Sequence, residues 1–133
     1  MIEKVNNINL ILPFITKYFP NYTVENSPYE KIFCYKDGDN IIGFISYSMI
    51  YERAELNYIV TDEQYRRKGV GQKLLDYAID DLKNNMVENL SLEVNVNNKV
   101  AIMFYLKNKF EIKATRHNYY ADGDAYLMVR EVG

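Results

Sequence analysis

The chain is poor in the residues that build metal and disulfide sites: it has one cysteine, Cys34, and one histidine, His117. With no second thiol an internal disulfide is excluded, no cysteine-based metal site is expected, and the cytoplasm is the natural compartment. Cys34 falls in a predicted strand and reads as a small buried hydrophobe. His117 reads as a surface or packing residue. Long apolar runs are missing as well. The N-terminal stretch MIEKVNNINLILPFITKYF is short, interrupted by Pro13 and without a small-residue cleavage site, so neither secretion nor a membrane span is expected. Nor is there an excess of positive charge. Sixteen Lys and Arg against eighteen Asp and Glu leave a net charge of -2, so no nucleic-acid or membrane partner is expected and any phosphate must be held locally. Linkers, repeats and low-complexity blocks are lacking too, and 133 residues suit one domain, taken as 1–133.

What is present is periodicity. Ile8, Leu10, Ile11, Leu12, Phe14, Ile15 and Phe19 fit one face of a helix bent or restarted near Pro13, capped by Asn7 or Asn9 and stopped by Pro20. The chain turns at Ser27 to Tyr29. Lys31–Tyr35 and Ile41–Ile50 then read as a hairpin joined by KDGDN. Arg53–Val60 reads as a third strand, with Leu56, Tyr58 and Val60 on one face and Glu55, Asn57 and Ile59 on the other. A helix follows with Leu74, Leu75, Ala78, Ile79 and Leu82 as its buried stripe. The strand SLEVNV comes next, burying Leu92, Val94 and Val96. Asn97 or Asn98 can cap a helix carrying Val100, Ala101, Phe104, Tyr105 and Leu106. Strands near Ile112–His117 and Ala125–Glu131 end the chain. This order implies a mixed sheet flanked by helices, with antiparallel meanders and one strand-helix-strand crossover.

The most informative segment is Arg66 to Gln72, where a strand runs through a glycine turn into a helix. Unpaired amides of a first helical turn converge there, and the helix dipole adds about half a positive charge. Gly69 and Gly71 leave room for phosphate oxygens to approach those amides, and Arg66, Arg67 and Lys68 add charge. The plainer reading is a solvated basic loop. Two rival phosphate motifs fail: Gln72 and Lys73 after Gly71 break P-loop spacing, and Leu74 stands where a dinucleotide fingerprint needs its third glycine.

Arg66-x-x-Gly69-x-Gly71 resembles the acyl-CoA pyrophosphate motif of the GNAT superfamily, Gln/Arg-x-x-Gly-x-Gly/Ala. The preceding Tyr58-Ile59-Val60-Thr61 is similar to that family's splayed fourth strand, and LEVNVNNKVAIMFYLKNKF to its fifth strand and following helix. TRHNYY and DAYLM resemble the tail of bacterial ribosomal-protein alanine N-acetyltransferases. The likeness covers about residues 40 to 131. It implies an α+β fold: a GNAT-like mixed, largely antiparallel sheet of six to seven strands, flanked by three to four helices, with a splayed central strand pair. It also implies acetyl-CoA as cofactor, held by Ile59, Val60, Thr61, Arg66, Arg67, Lys68, Gly69, Val70, Gly71, Gln72, Asn98 and Tyr105. No metal is implied.

Acetyl transfer to an amine makes three chemical demands. The acceptor is largely ammonium at neutral pH, so a carboxylate must take its proton. Glu55 and Glu93 are both candidates by resemblance, and the plainer reading of each is an exposed strand carboxylate. A donor must face the developing oxyanion, and the resemblance supplies the amide near Ile59. The departing thiolate needs a proton. Tyr105, twelve residues after Glu93, stands where the family places its general acid; its plainer reading is a core wall. Tyr119 and Tyr120 are candidates for the acceptor mouth.

Two features depart from the family pattern. Lys109 stands where the helix before Phe110 normally ends in glycine, and little chain lies between Phe19 and Lys31 to form a second acceptor-side helix. The expected acceptor is a protein N-terminal or peptide amine. A small-molecule amine such as a polyamine or drug is the enzymatic alternative, and a non-catalytic acyl-CoA-binding module the alternative of another class. A monomer or a homodimer is compatible with the sequence.

Overall fold

The computed structural model describes residues 1–24 and 27–133. A short strand, β1 (Ile2–Lys4), precedes a 3-10 turn over Ile8–Leu10 and helix α1 (Leu12–Tyr18). Asn7 caps that turn by accepting the Asn9 N–H. Pro13 lies in the first turn of α1, where the N–H it lacks has no helical partner. The N-terminal apolar stretch is therefore divided rather than one helix: Ile11 and Ile15 are buried, and Leu10 is exposed. Among the described residues between Phe19 and Glu30 no second helix forms; Glu25 and Asn26 of that connection lie outside them. The expected turn over Ser27–Tyr29 is closed by the Glu30 N–H on the Ser27 carbonyl.

Strands β2 (Glu30–Asp37), β3 (Asn40–Ile50) and β4 (Arg53–Thr61) form an antiparallel meander, its first turn made by Gly38 at φ 62°. Helix α2 (Val70–Asn84) crosses to β5 (Asn89–Asn95), which runs parallel to β4. Helix α3 (Lys99–Lys107) and the hairpin β6 (Glu111–Tyr120) and β7 (Gly123–Glu131) complete one seven-stranded sheet of order β1-β2-β3-β4-β5-β7-β6. Seven strands and three helices agree with the expected class. On one face α2 buries Leu74, Leu75, Ala78, Ile79 and Leu82, as its periodicity required, with Ile102 and Tyr105 of α3 in the same core. The other face is smaller, formed by Ile11 and Ile15 against Cys34 and Phe44. The core below α2 includes a polar tie: the buried Tyr47 hydroxyl donates to Asp81 at 2.6 Å, and Lys31 pairs with Asp81 at 3.0 Å.

The structure corrects two sequence-based expectations. In β4 strict alternation fails, because Ser46 pairs with Tyr58 while Tyr47 pairs with Leu56, leaving Asn57 as an extra residue. This β-bulge reverses the facing of everything after it. Leu56 and Ile59 join the α2-side core, whereas Tyr58 and Val60 pack with Phe44 on the α1 side. In β5 the strand ends at Asn95, so Val96 lies beyond it and is half-buried, while Leu90 takes a buried place at the other end. α3 also exposes more than its composition suggests, with Val100 83% exposed.

Lys109 follows α3 at φ 71°, the left-handed conformation that glycine adopts without steric conflict. A side chain costs about 1 kcal/mol there. Lys109→Gly is accordingly expected to raise the melting temperature by roughly 3 °C, read by calorimetry; an unchanged or lower value would mean that the lysine side chain compensates by packing.

Candidate active site

The site begins where the sheet comes apart. β4 and β5 pair only through Arg53–Asn89, Ala54–Leu90 and Glu55–Ser91, although both strands continue. Beyond Glu55 the two diverge: β4 stays on β3, and β5 stays on β7 as far as Asn95. The Asp62 N–H donates to the Ile42 carbonyl, so antiparallel alternation turns residues 58, 60 and 62 toward β3. Ile59 and Thr61 consequently direct their N–H and C=O groups into the opening. The Thr61 carbonyl accepts one bond there, from Arg66 Nε at 3.2 Å.

The opening leads to the start of α2. A 3-10 turn over Glu63–Tyr65, capped by Asp62, hands the chain to Arg67 at φ 65° and Gly69 at φ 80°. These left-handed residues curl the backbone, and the first helical bond is Lys73 N–H to the Gly69 carbonyl. The amides of Val70, Gly71 and Gln72 thus have no carbonyl within the helix, and no acidic residue occupies that first turn. A concave set of donors at a helix N-terminus suits an anion.

The candidate residues divide by role. Gly69 is required by its backbone angle, with open space around it. At Gly71 a Cβ would make only an ordinary contact, 3.5 Å from the Thr61 hydroxyl, so the free protein does not itself exclude a side chain. Val70 is buried in the core and offers only its N–H. The Gln72 side chain bonds Asn108 and Asp76, leaving the backbone as its contribution to the cradle. Arg66 lies over the Tyr18 ring and Lys68 over that of Tyr65. Asn98 caps α3 by accepting the Ala101 N–H, which engages its oxygen.

On the α1 side the opening widens into a cavity of about 430 Å³. Both candidate carboxylates, Glu55 and Glu93, reach its wall, together with Tyr119 and Tyr120. The sequence reading missed Glu30, Ser48 and Asn57, which line the same cavity. Ser46 donates to Glu30 at 2.6 Å, and Asn57 at the bulge donates to Ser48 at 2.9 Å and to Ser46 at 3.3 Å. No sequence pattern marked these residues, because strand pairing alone brings them together.

Glu93 is the least satisfied group in the site. Its side chain is 13% exposed, Arg116 Nε meets Oε1 at 3.0 Å, and Oε2 is buried with no hydrogen-bond partner among the described residues. Burial raises its carboxyl above the ordinary value, Arg116 opposes the rise, and the charge of Glu55 adds to it. Tyr105 lies below in the α2-side core, its ring edge-on to Phe104 and Phe110. Burial, with a contribution from Tyr120, pushes its phenol up to about 12, so the group holds its proton. The Tyr120 hydroxyl donates to the Glu93 carbonyl at 3.4 Å. His117 is exposed against Asp124, and Cys34 is buried, as expected.

The model of the acetyltransferase (GNAT) family matches residues 7–110, most of the chain and both walls of the opening. The chain belongs to the GNAT family. This GNAT chain is 46% identical over 70 residues to an N-alpha-acetyltransferase of Saccharolobus solfataricus, a match covering 51% of the chain and 42% of that protein. It is 38% identical over 84 residues to the ribosomal protein bS18-alanine N-acetyltransferase of Escherichia coli, covering 60% of the chain and 57% of that protein. The matches thus span about half the length of these curated relatives. The crystal structure of Ard1 from Thermoplasma volcanium superposes with a TM-score of 0.86 at 26% identity, covering 100% of the chain and 97% of that structure.

The environment of Glu93 has a consequence for stability. A carboxyl whose value is raised by the fold is disfavoured in its ionised form, so the folded state is weakened as pH rises through the ordinary and then the raised value. Glu93→Gln is expected to raise the melting temperature at about pH 7 to 8, with the gain vanishing below about pH 4. Calorimetry across that range tests this; a loss of stability at neutral pH would mean that the Arg116 contact outweighs the burial.

Proposed function

We propose that the chain is an N-acetyltransferase that moves the acetyl group of acetyl-CoA onto a primary amine at a protein or peptide N-terminus. The observation that carries this reading is the meeting of two half-sites at one break in the sheet: a concave set of free amides on one side, and a carboxylate with an unpartnered oxygen on the other. The family relationship and the names of the relatives support the same reaction and the same acceptor class.

The chain's own features suit the cofactor. The amides of Val70, Gly71 and Gln72, with Arg67 and Lys68 alongside, would hold the pyrophosphate. The open edge of β4 at Ile59 and Thr61 would pair with the amide-bearing pantetheine arm as with a further strand. When bound, acetyl-CoA supplies an activated acyl carbon and a thiolate leaving group.

The remaining steps belong to protein groups. Glu93 is the base: its free Oε2 takes a proton from the incoming ammonium, directly or through water, and a carboxyl raised by burial is better matched to that transfer. Glu55, more exposed on the neighbouring strand, adds negative potential that draws the ammonium in. The Ile59 N–H donates to the reacting carbonyl oxygen as negative charge grows on it. Tyr105 is the acid: a phenol held near 12 stays protonated and gives its proton to sulfur as the carbon–sulfur bond breaks. Tyr119 and Tyr120 wall the acceptor mouth.

Thiol release measured over a panel of N-terminal peptides and small amines tests the proposal; turnover with peptides and little with polyamines is expected, and CoA binding without thiol release from any acceptor would leave only a binding module. Tyr105→Phe should lower kcat at least about tenfold with CoA affinity little changed, since acid catalysis contributes roughly 10² to 10⁴. Gly71→Val should instead weaken CoA in calorimetry, because its side chain would fill the space beside the amides that a phosphate needs, while the free protein has room for a Cβ there. Normal affinity in that variant would move the phosphate cradle elsewhere.

A further inference from the structure

Arg116 belongs to the TRHNYY segment but was assigned no role by sequence, yet among the described residues it is the cation that meets Glu93. It lies on β6, the edge of the sheet, whereas Glu93 lies on β5; β7 runs between them, with Leu127 paired to Glu93 and Ala125 paired to Arg116. The guanidinium must therefore reach across a whole strand. Two features hold it in that posture. Its planar head lies 5.9 Å from the centroid of the Tyr119 ring. That ring is in turn placed by a break in the hairpin register, for pairing jumps from Arg116–Ala125 to Tyr120–Gly123. Asp124 clamps the excursion, accepting the Asn118 N–H at 2.8 Å and meeting His117 Nδ1 at 3.2 Å, with Asn118 at φ 58°.

The contact is single. Arg116 Nε engages Oε1, and Oε2 is left buried without a hydrogen-bond partner among the described residues. A two-pronged arginine clamp would occupy both oxygens and block the site. One-point attachment fixes the carboxylate and leaves its second oxygen available to the acceptor.

We propose that Arg116 is a positioning residue for the base, anchoring Oε1 of Glu93 so that Oε2 is presented to the ammonium. This inference rests on Glu93 being the base. The groups that face Glu93 set its sign: Arg116 from β6 is the cation, Glu55 from β4 is a like charge, Glu30 of β2 lies in the same cavity, the Tyr120 hydroxyl meets its carbonyl, and Leu127 of β7 brings no charge. Removing the cation leaves burial and Glu55 unopposed, so the Glu93 carboxyl rises and the base is lost by protonation at a higher pH.

The pH dependence of kcat/KM for thiol release, with wild type, Arg116→Gln, Arg116→Lys and Glu93→Gln side by side, tests this. In Arg116→Gln the acid-side midpoint is expected to move up by roughly one unit, so that activity on the acid limb falls about tenfold and the alkaline plateau changes far less. Arg116→Lys, which keeps the charge, should return the midpoint toward wild type. A midpoint that does not move in Arg116→Gln, while Glu93→Gln is inactive, overturns the role of Arg116 and leaves the base in place; an equal loss at every pH, not rescued by lysine, overturns it too. If Glu93→Gln keeps full activity, the base assignment fails and this inference falls with it.

Discussion

The interruption between β4 and β5 is the constraint on which the rest of the molecule depends. Three residue pairs and the α2 crossover connect two half-sheets, β1 to β4 on one side and β5, β7 and β6 on the other. Within each half neighbouring strands pair along their length apart from the bulge at Asn57 and the slips in the β6–β7 hairpin, whereas past Glu55 the side of β4 facing β5 has no strand partner. An unpaired strand edge in the middle of a sheet is a poor arrangement for stability and a good one for binding, because its donors and acceptors are directional and already ordered. The same break opens the cavity on the α1 side, which is why both halves of the proposed site meet at one place.

Two backbone irregularities aim the side chains at that break. The extra residue Asn57 turns Tyr58 and Val60 toward α1 and brings Ile59 to the α2 side, and it ties the cavity floor through Ser46, Ser48 and Glu30. The slip in the β6–β7 hairpin turns Tyr119 and Tyr120 to the cavity and sets Arg116 over the Tyr119 ring. Neither could be replaced by regular pairing without flipping these residues to the other face.

The electrostatic design follows from burial. Glu93 and Tyr105 are both driven toward their protonated forms by removal from water, but with different outcomes. The phenol simply becomes a firmer holder of its proton. The carboxylate is drawn back by one cation on a neighbouring strand, and the opposition leaves it sensitive to small changes around it. A carboxyl held in this way, with one buried oxygen unpartnered among the described residues, costs the fold some stability.

Much of this was legible in the linear order of residues. The helical stripe of α2, the alternation that buries Leu92 and Val94, the hairpin at Gly38 and the unpaired amides of Val70 to Gln72 are local in cause: period, turn chemistry and unsatisfied helix ends act over a few residues, so composition and spacing determine them. Glu55, Glu93, Tyr119 and Tyr120, candidates on sequence grounds, do line one cavity. What only the tertiary structure decided was the bulge at Asn57, the polar floor beneath Glu30, the depth of Tyr105 in the core, and the arm of Arg116 reaching across β7 to Glu93. These depend on register between strands far apart in the chain, and register is settled by the packing of whole faces rather than by the residues that happen to meet there.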